Sequence, residues 1–533
     1  MNTMTGGEAL VAGLAAHGVD TVFGIPGTHN LSIYAAFAKY DITHILSRHE
    51  QGSGYAADGY ARSTGRPGVV VTTTGPAILN AAAAAAQAYS DSIPVLFISP
   101  GMPVNHPGLG NGLLHEVKDQ GTAMASVVAY SHRVTSVEEI PLAVAQAFGA
   151  MSTGRRRPVH LEIPFDLLES SAEVVVVEAV PAAVLSAPEV AVDNAGTALS
   201  AAERPILIVG GGASRAADQV AAIAELLGAP VIATTNGKGV FPEDHALSIG
   251  AGVQHRSVLA AIDDSDCVLA IGTEFAPSDW WLGPPDVLGK LIRIDIDAIS
   301  INTNAVPTHG LIGDSRIVLD QLVYRLARTP SDGTERATLW RARFLQDAQT
   351  EGAPWLDIVA AIAAALPRNT IVAADSSMSC YYAALSNLPL FRPNAFLYPT
   401  GGGTLGYGLP AGVGAKVANP DVPVVVMQGD GGIMFTVAEL AMAAEIGIAL
   451  PVIVVDNGGY GEIRNEMADR REPIHAVALG HPDFAKLAES LGCHGVRIGS
   501  PGELTEAIKN ALAADRPTVL HVREDGRAAA GML

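Results

Sequence analysis

Val422-Pro-Val-Val-Val-Met-Gln-Gly-Asp-Gly-Gly432 runs from an apolar strand into a glycine turn, and Phe435–Ile446 behind it carries a helical pattern. Glycines between a strand and a helix let backbone N–H groups approach an anion at the helix N-terminus, an arrangement suited to phosphate. The turn nevertheless holds an aspartate and no Lys or Arg. A carboxylate beside a diphosphate requires a cation between them, and its hard oxygen suits Mg2+. The next strand, Pro451–Val455, ends in Asp456-Asn457-Gly458-Gly459-Tyr460-Gly461. If the two strands are parallel neighbours, Asp430 and Asn457 meet at their carboxyl edge and offer two oxygens to one ion. On these residues alone, an ordinary turn between strand and helix is the competing reading.

Outward from this point, short β-branched runs alternate with Ala-rich helical stretches: Gly68–Thr74, Pro94–Ile98, Pro205–Val209, Val268–Ile271 and Leu291–Ile296 besides the two above. That alternation predicts an α/β fold of parallel sheets covered by helices on both faces. Ala61–Pro76 and Ala415–Asp430 share one arrangement: helix end, turn, buried strand, glycine turn. Each is followed by an Ala-rich helix and a second buried strand, which suggests a duplicated domain with one copy at each end. Ala172–Ala191, without clear periodicity, and the polar cluster Thr329–Glu335 read as linkers bounding a middle domain. The expectation is three doubly wound parallel-sheet domains over residues 1–172, 190–330 and 350–533.

The 533-residue length leaves room for about three domains of roughly 100–200 residues. Hydrophobic residues make 49% and aromatics only 5%, so the interior is built from Ala, Val, Ile, Leu and Gly, and disorder is excluded. A net charge of -21 repels a phosphate backbone, which argues against a nucleic-acid partner. Cys267, Cys380 and Cys493 are odd in number and far apart, which supports neither a disulfide framework nor a zinc ribbon and suits a reducing cytoplasm. The N-terminal stretch lacks a basic n-region and the longest apolar runs are interrupted, so neither a signal peptide nor a membrane span is expected. His49-Glu50 and His115-Glu116 start like zinc-binding His-Glu-x-x-His, but Ser53 and Asp119 end that reading.

The Gly-Asp-Gly turn and the later Asp456-Asn457 resemble the signature of thiamine-diphosphate (ThDP) enzymes, in which the second position is usually an Asn pair; Asp456 replaces the first of that pair here. The resemblance extends over nearly the whole chain, as pyrimidine, middle and diphosphate domains. It implies Mg2+ held by the Asp430 and Asn457 side chains and the Gly459 carbonyl, with Ser377, Gly431, Gly432, Tyr460 and Gly461 around the diphosphate. Arg48-His49-Glu50-Gln51, opening a helix, is similar to the family's catalytic-glutamate segment, so Glu50 would bond N1′ of the aminopyrimidine; on its own it is also a carboxylate favoured by the helix dipole. Pro399–Pro410 resembles the segment that bends the cofactor, with Leu405 under the bend, the Gly403 carbonyl accepting from the 4′-amino group and the Leu405 N–H donating to N3′. Phe23–Gly27, containing Pro26, and Thr72–Pro76 with Asn80 match the pyrimidine pocket, which brings in Thr73 and Pro76. Because the family places its cofactor between subunits, a homodimer or homotetramer is implied. FAD, bound by the middle domain of acetohydroxyacid synthases, is allowed by analogy, yet Arg215 stands where a dinucleotide turn needs a small residue.

In this family the cofactor supplies the electron sink for loss of CO2 from a 2-oxo acid, so few catalytic side chains are needed. Protonation of the product carbon then gives an aldehyde, and addition to a second carbonyl gives a 2-hydroxy ketone or acid. His115 aligns with the first of two adjacent histidines in pyruvate decarboxylases, the second being Glu116 here, and could act as a general acid. Thr73 stands where benzoylformate decarboxylases carry a histidine. Tyr460-Gly-Glu-Ile-Arg-Asn-Glu-Met467 looks most like decarboxylases of 5-guanidino-2-oxopentanoate, and Glu462 and Glu466, four apart, could pair with a cationic tail. The expected activity is ThDP- and Mg2+-dependent decarboxylation of a 2-oxo acid; the alternative is a carboligase of the acetolactate synthase type. A non-catalytic ThDP-fold binding protein would have little reason to keep Glu50, Leu405, Asp430 and Asn457 together.

Overall fold

The computed structural model describes residues 2–181, 183–327 and 332–524; residues 329–331 of the Thr329–Glu335 cluster, and Ala182 of the preceding linker, lie outside them. Three six-stranded sheets, each parallel throughout, follow one another along the chain. Their strands are near-continuous Val/Ile runs because helices bury both faces.

With strands counted in chain order within each six-stranded sheet, the first and last sheets share the order 2-1-3-4-6-5 and the middle sheet has 3-2-1-4-5-6. The two look-alike stretches supply the third strand of their sheets, Gly68–Val71 and Val424–Gly429, and each is followed by the fourth, Val95–Gly101 and Pro451–Asp456. The first of these ends at Val71, short of the expected Thr74, because Thr72–Gly75 turns away at the sheet edge ahead of the helix Pro76–Ser90.

The first and last domains meet through the helices Glu50–Thr64 and Gly408–Ala418. Gly59 and Gly414 let the two backbones touch: a Cβ on either would run into the carbonyl of Ala411 or Ala56. Beside this seam, buried Arg62 bonds Asp58 (2.6 Å) and Asp91 (2.6 Å) of its own domain, Asn236 (3.2 Å) of the middle domain and the Tyr398 carbonyl (3.3 Å) of the last, joining the three. The helix Gly333–Glu351 lies in the stretch left between the expected middle and last domains. It packs Ala337 and Trp340 into the middle domain's cores and donates from Arg336 to the Pro205 carbonyl.

Candidate active site

Val424–Gly429 pairs with Pro451–Asp456 in parallel, Gly429 opposite Val455, so Asp430 and Asn457 leave adjacent strands side by side. The Asn457 N–H lies 3.4 Å from Asp430 Oδ1. Asp430 Oδ2 and Asn457 Oδ1 are both buried and have no hydrogen-bond partner among the described residues. Two orphaned buried oxygens are costly unless something absent from the chain satisfies them, and the Gly459 carbonyl faces Gly431 next to them. Burial first, and then the charge of Asp456, push the Asp430 carboxyl above its ordinary value. A divalent cation relieves both. One carboxylate and amide-type oxygens form a hard, Mg2+-like donor set.

The surrounding residues close the cradle. A Cβ at Gly431 would stand 2.9 Å from the Tyr460 ring, and one at Gly461 2.7 Å from the Asn457 amide. Ser377 follows the strand Ile371–Ala374 and lies over Gly429. Gly432 abuts Asp375, a fully buried carboxylate that accepts from the Gly406 N–H (2.8 Å), the Tyr407 N–H (3.3 Å) and Gln428 Nε2 (2.7 Å). Asp375 thereby ties the loop carrying Gly403 and Leu405 to the turn at Gly432. Leu405 is half-buried, and Thr404 bonds Tyr55 of the first domain (2.5 Å).

The other expected residues gather on the first domain. Glu50 opens the helix Glu50–Thr64 and accepts from Asn80 Nδ2 (3.0 Å). Pro76 is the first residue of its helix, and Gly27, next to Pro26, packs on Thr73, whose buried Oγ1 has no partner among the described residues. His115 has φ 62°, and its buried Nδ1 likewise lacks a partner among the described residues.

Sequence reasoning missed His29, two residues past the quoted Phe23–Gly27. Its ring stacks on Phe165 (4.8 Å), meets His115 edge-on (5.4 Å) and bonds Thr74 Oγ1 (2.6 Å). Burial, then the proximity of His115, hold His29 below the ordinary histidine value, so it is neutral near pH 7.

Also missed was Glu439, fully buried behind Glu50, whose carboxylate accepts from the N–H groups of Arg48 (3.0 Å) and His49 (3.0 Å). It anchors the residues that lead into the helix Glu50–Thr64. Burial pushes Glu439 up to about 7 from 4.5. A carboxyl raised on folding favours the protonated folded state, so its stabilisation is complete below pH 4.5 and lost as pH rises through about 7. Glu439→Gln removes that dependence: the wild-type melting temperature, measured without added cofactor, should fall relative to the variant between pH 5 and pH 8. Parallel curves would contradict the assignment.

Glu462 and Glu466 take different roles. Glu466 is on the exposed side of its helix, bonded to Arg470 (3.0 Å). Glu462 points inward and accepts from Tyr382 OH (2.7 Å) and Tyr381 OH (3.2 Å). Both tyrosines sit on a π-helical turn, Ser379–Ala384, a distortion common at functional sites. Trp281 of the middle domain meets the two rings edge-on, at 6.1 and 5.7 Å.

The three domains also enclose a cavity of about 600 Å3 at the carboxyl ends of the middle sheet, reaching Gly211, Gly212, Asn236 and Gly272. Arg215 reaches from its wall to the Gly65 carbonyl (2.7 Å).

Three stacked α/β domains with a glycine turn, an orphaned oxygen pair and a helix-opening glutamate define a ThDP-dependent enzyme. The chain matches the thiamine pyrophosphate enzyme N-terminal TPP binding domain over residues 4–123, the central domain over 192–322 and the C-terminal TPP binding domain over 377–522. It belongs to the thiamine pyrophosphate enzyme family, with ThDP as cofactor. It is 41% identical to the probable 2-ketoarginine decarboxylase AruI of Pseudomonas aeruginosa over 529 residues, covering 96% of this chain and 92% of the relative. It is 34% identical to the acetolactate synthase large subunit of Parasynechococcus marenigrum (98% and 88% covered) and 32% identical to the probable acetolactate synthase large subunit of Methanocaldococcus jannaschii (97% and 92%). No helix among the described residues is long and apolar enough to cross a membrane.

Proposed function

We propose that the enzyme decarboxylates a 2-oxo acid bearing a guanidino tail, 5-guanidino-2-oxopentanoate or a close analogue, to an aldehyde and CO2. The observation that carries this reading is Glu462, a carboxylate oriented by two tyrosine hydroxyls whose rings Trp281 meets edge-on, five residues past the proposed metal ligand Asn457. A planar guanidinium both pairs with a carboxylate and stacks on aromatic rings, and an uncharged tail gains no such pair. The 41% identity to a probable 2-ketoarginine decarboxylase points the same way.

When bound, ThDP supplies the electron sink for the carbon–carbon cleavage. The chain's own residues do the rest. Asp430, Asn457 and the Gly459 carbonyl would hold Mg2+; Ser377, Gly431, Gly432, Tyr460 and Gly461 would line the diphosphate; Gly403, Leu405, Pro26, Thr73, Pro76 and Asn80 would shape the rest of the cofactor pocket. Glu50 would hold the proton shared with the aminopyrimidine, and His115 would serve as proton donor to the product. The likeness to a family that places its cofactor between subunits supports completion of the site in a homodimer or homotetramer, in the cytoplasm. The proposed domain bounds are 1–172, 190–330 and 350–533, with the helix Gly333–Glu351 packed on the middle domain.

Glu462→Gln keeps the tyrosine contacts and removes the charge. It should lower kcat/KM for the guanidino substrate by about 10- to 100-fold, the worth of a charge-assisted pair, and leave pyruvate turnover nearly unchanged. An equal loss on both substrates would contradict the tail assignment. The acetolactate synthases among the relatives favour a second reading, capture of the product carbon by a second carbonyl, which product identity separates from the first.

A further inference from the structure

Asp456 stands where the family usually has the first Asn of a pair, and its surroundings explain why an acid fits. It is fully buried and accepts three N–H donors. Oδ1 takes the Gly458 N–H (3.0 Å) and His481 Nδ1 (2.9 Å), and Oδ2 takes His521 Nε2 (3.0 Å). An asparagine could not do this unchanged, since its NH2 group would face a donor that must first change tautomer. His521 is itself buried and fixed edge-on against Phe484 (5.2 Å).

His481 reaches Asp456 from a strap, residues 476–481, that crosses the metal turn. The Tyr460 N–H donates to the Val477 carbonyl (2.9 Å), the Leu479 N–H donates to the Gly458 carbonyl (2.8 Å), and Gly459 and Ala478 form an antiparallel bridge. The imidazole lies so close over Gly458, φ 77°, that a Cβ there would sit 2.7 Å from the ring. The groups flanking the proposed ligands are thus bound on every side, while the ligand oxygen of Asn457 is left bare.

We propose that Asp456, His481 and His521 are positioning residues that latch the strap onto the turn Asn457–Gly459, so that retention of Mg2+ and the cofactor diphosphate depends on the strap being closed. Groups that orient a metal's ligands typically set its affinity over about 10- to 100-fold. The latch concerns cofactor retention and is independent of the substrate tail, whichever 2-oxo acid the enzyme takes.

The test titrates Mg2+ into the full-length enzyme with ThDP present, by calorimetry, and follows loss of ThDP from the holoenzyme after EDTA is added. His481→Ala should weaken Mg2+ by about 10- to 100-fold and speed ThDP release by a similar factor. Its kcat at saturating Mg2+ and ThDP should stay within a factor of about three. His481→Asn, which still donates to Asp456, should recover most of the affinity. Asp456→Ala should lose more than His481→Ala; should that variant not fold, the partly exposed His481 decides the question alone. Unchanged Mg2+ affinity and ThDP release in His481→Ala would overturn the proposal. So would a fall in kcat with no change in Mg2+ requirement, the mark of a purely structural role.

Discussion

Asp430→Ala should lose Mg2+-dependent retention of ThDP and, with it, turnover. The side chain leaves the strand Val424–Gly429 at its carboxyl end, and its Oδ2 is buried without a partner among the described residues. Burial and the neighbouring Asp456 disfavour its charge, and a bound cation would offset both. Removing a group that merely orients a ligand costs about 10- to 100-fold in metal affinity, and removing the ligand itself should exceed that. Calorimetry with Mg2+ and ThDP measures the loss, and circular dichroism checks the fold. Asp430→Asn, which keeps an oxygen and drops the charge, should fall between the two. An Asp430→Ala enzyme that is active at the wild-type Mg2+ requirement would remove the metal assignment.

Glu50→Gln should lower kcat by about 10²- to 10⁴-fold, the usual worth of a group that moves a proton in the rate-determining step, with ThDP and Mg2+ affinity changed only a few-fold. The size of the effect follows from how the carboxyl is held. The His49 side chain caps the helix at the Gln51 N–H, Asn80 donates to Glu50 Oε2, and Glu439 fixes the backbone of Arg48 and His49 from behind. Glutamine keeps the shape of the site and loses only the proton exchange. A loss of ThDP affinity equal to the loss of rate would show instead that Glu50 serves binding and not the chemical step.

The fold was legible because fully buried parallel strands must be apolar along their whole length, so Pro205–Val209 and Pro451–Asp456 are visible as bare Val/Ile runs. The similarity of the stretches around Gly68 and Val424 was legible for the same reason, and both are third strands in the same order. The strand ends were less so: Thr72 and Thr73 are β-formers, yet the chain turns there ahead of Pro76.

Within the site, Asp430 and Asn457 could be paired from sequence because adjacent strands of one sheet carry them. Glu439 could not, since the backbone it anchors at Arg48 lies 391 residues away. His29 and His115 meet only because the loop after Gly110 folds back over the turn at Gly75. The spacing of Glu462 and Glu466 put both on one helix, but only packing against Tyr381 and Tyr382 distinguishes the inward acid from the one bound to Arg470. Asp456 reads as a single departure from a motif until His481 and His521, 25 and 65 positions on, are seen to converge on it.

The most direct measurement incubates the purified enzyme with ThDP and Mg2+ and supplies 5-guanidino-2-oxopentanoate, pyruvate and benzoylformate separately, with CO2 and the organic product identified by mass spectrometry. Aldehyde and CO2, preferentially from the guanidino substrate and abolished by EDTA, is the expected result. Acetolactate from pyruvate, with no aldehyde from any of the three, would contradict it.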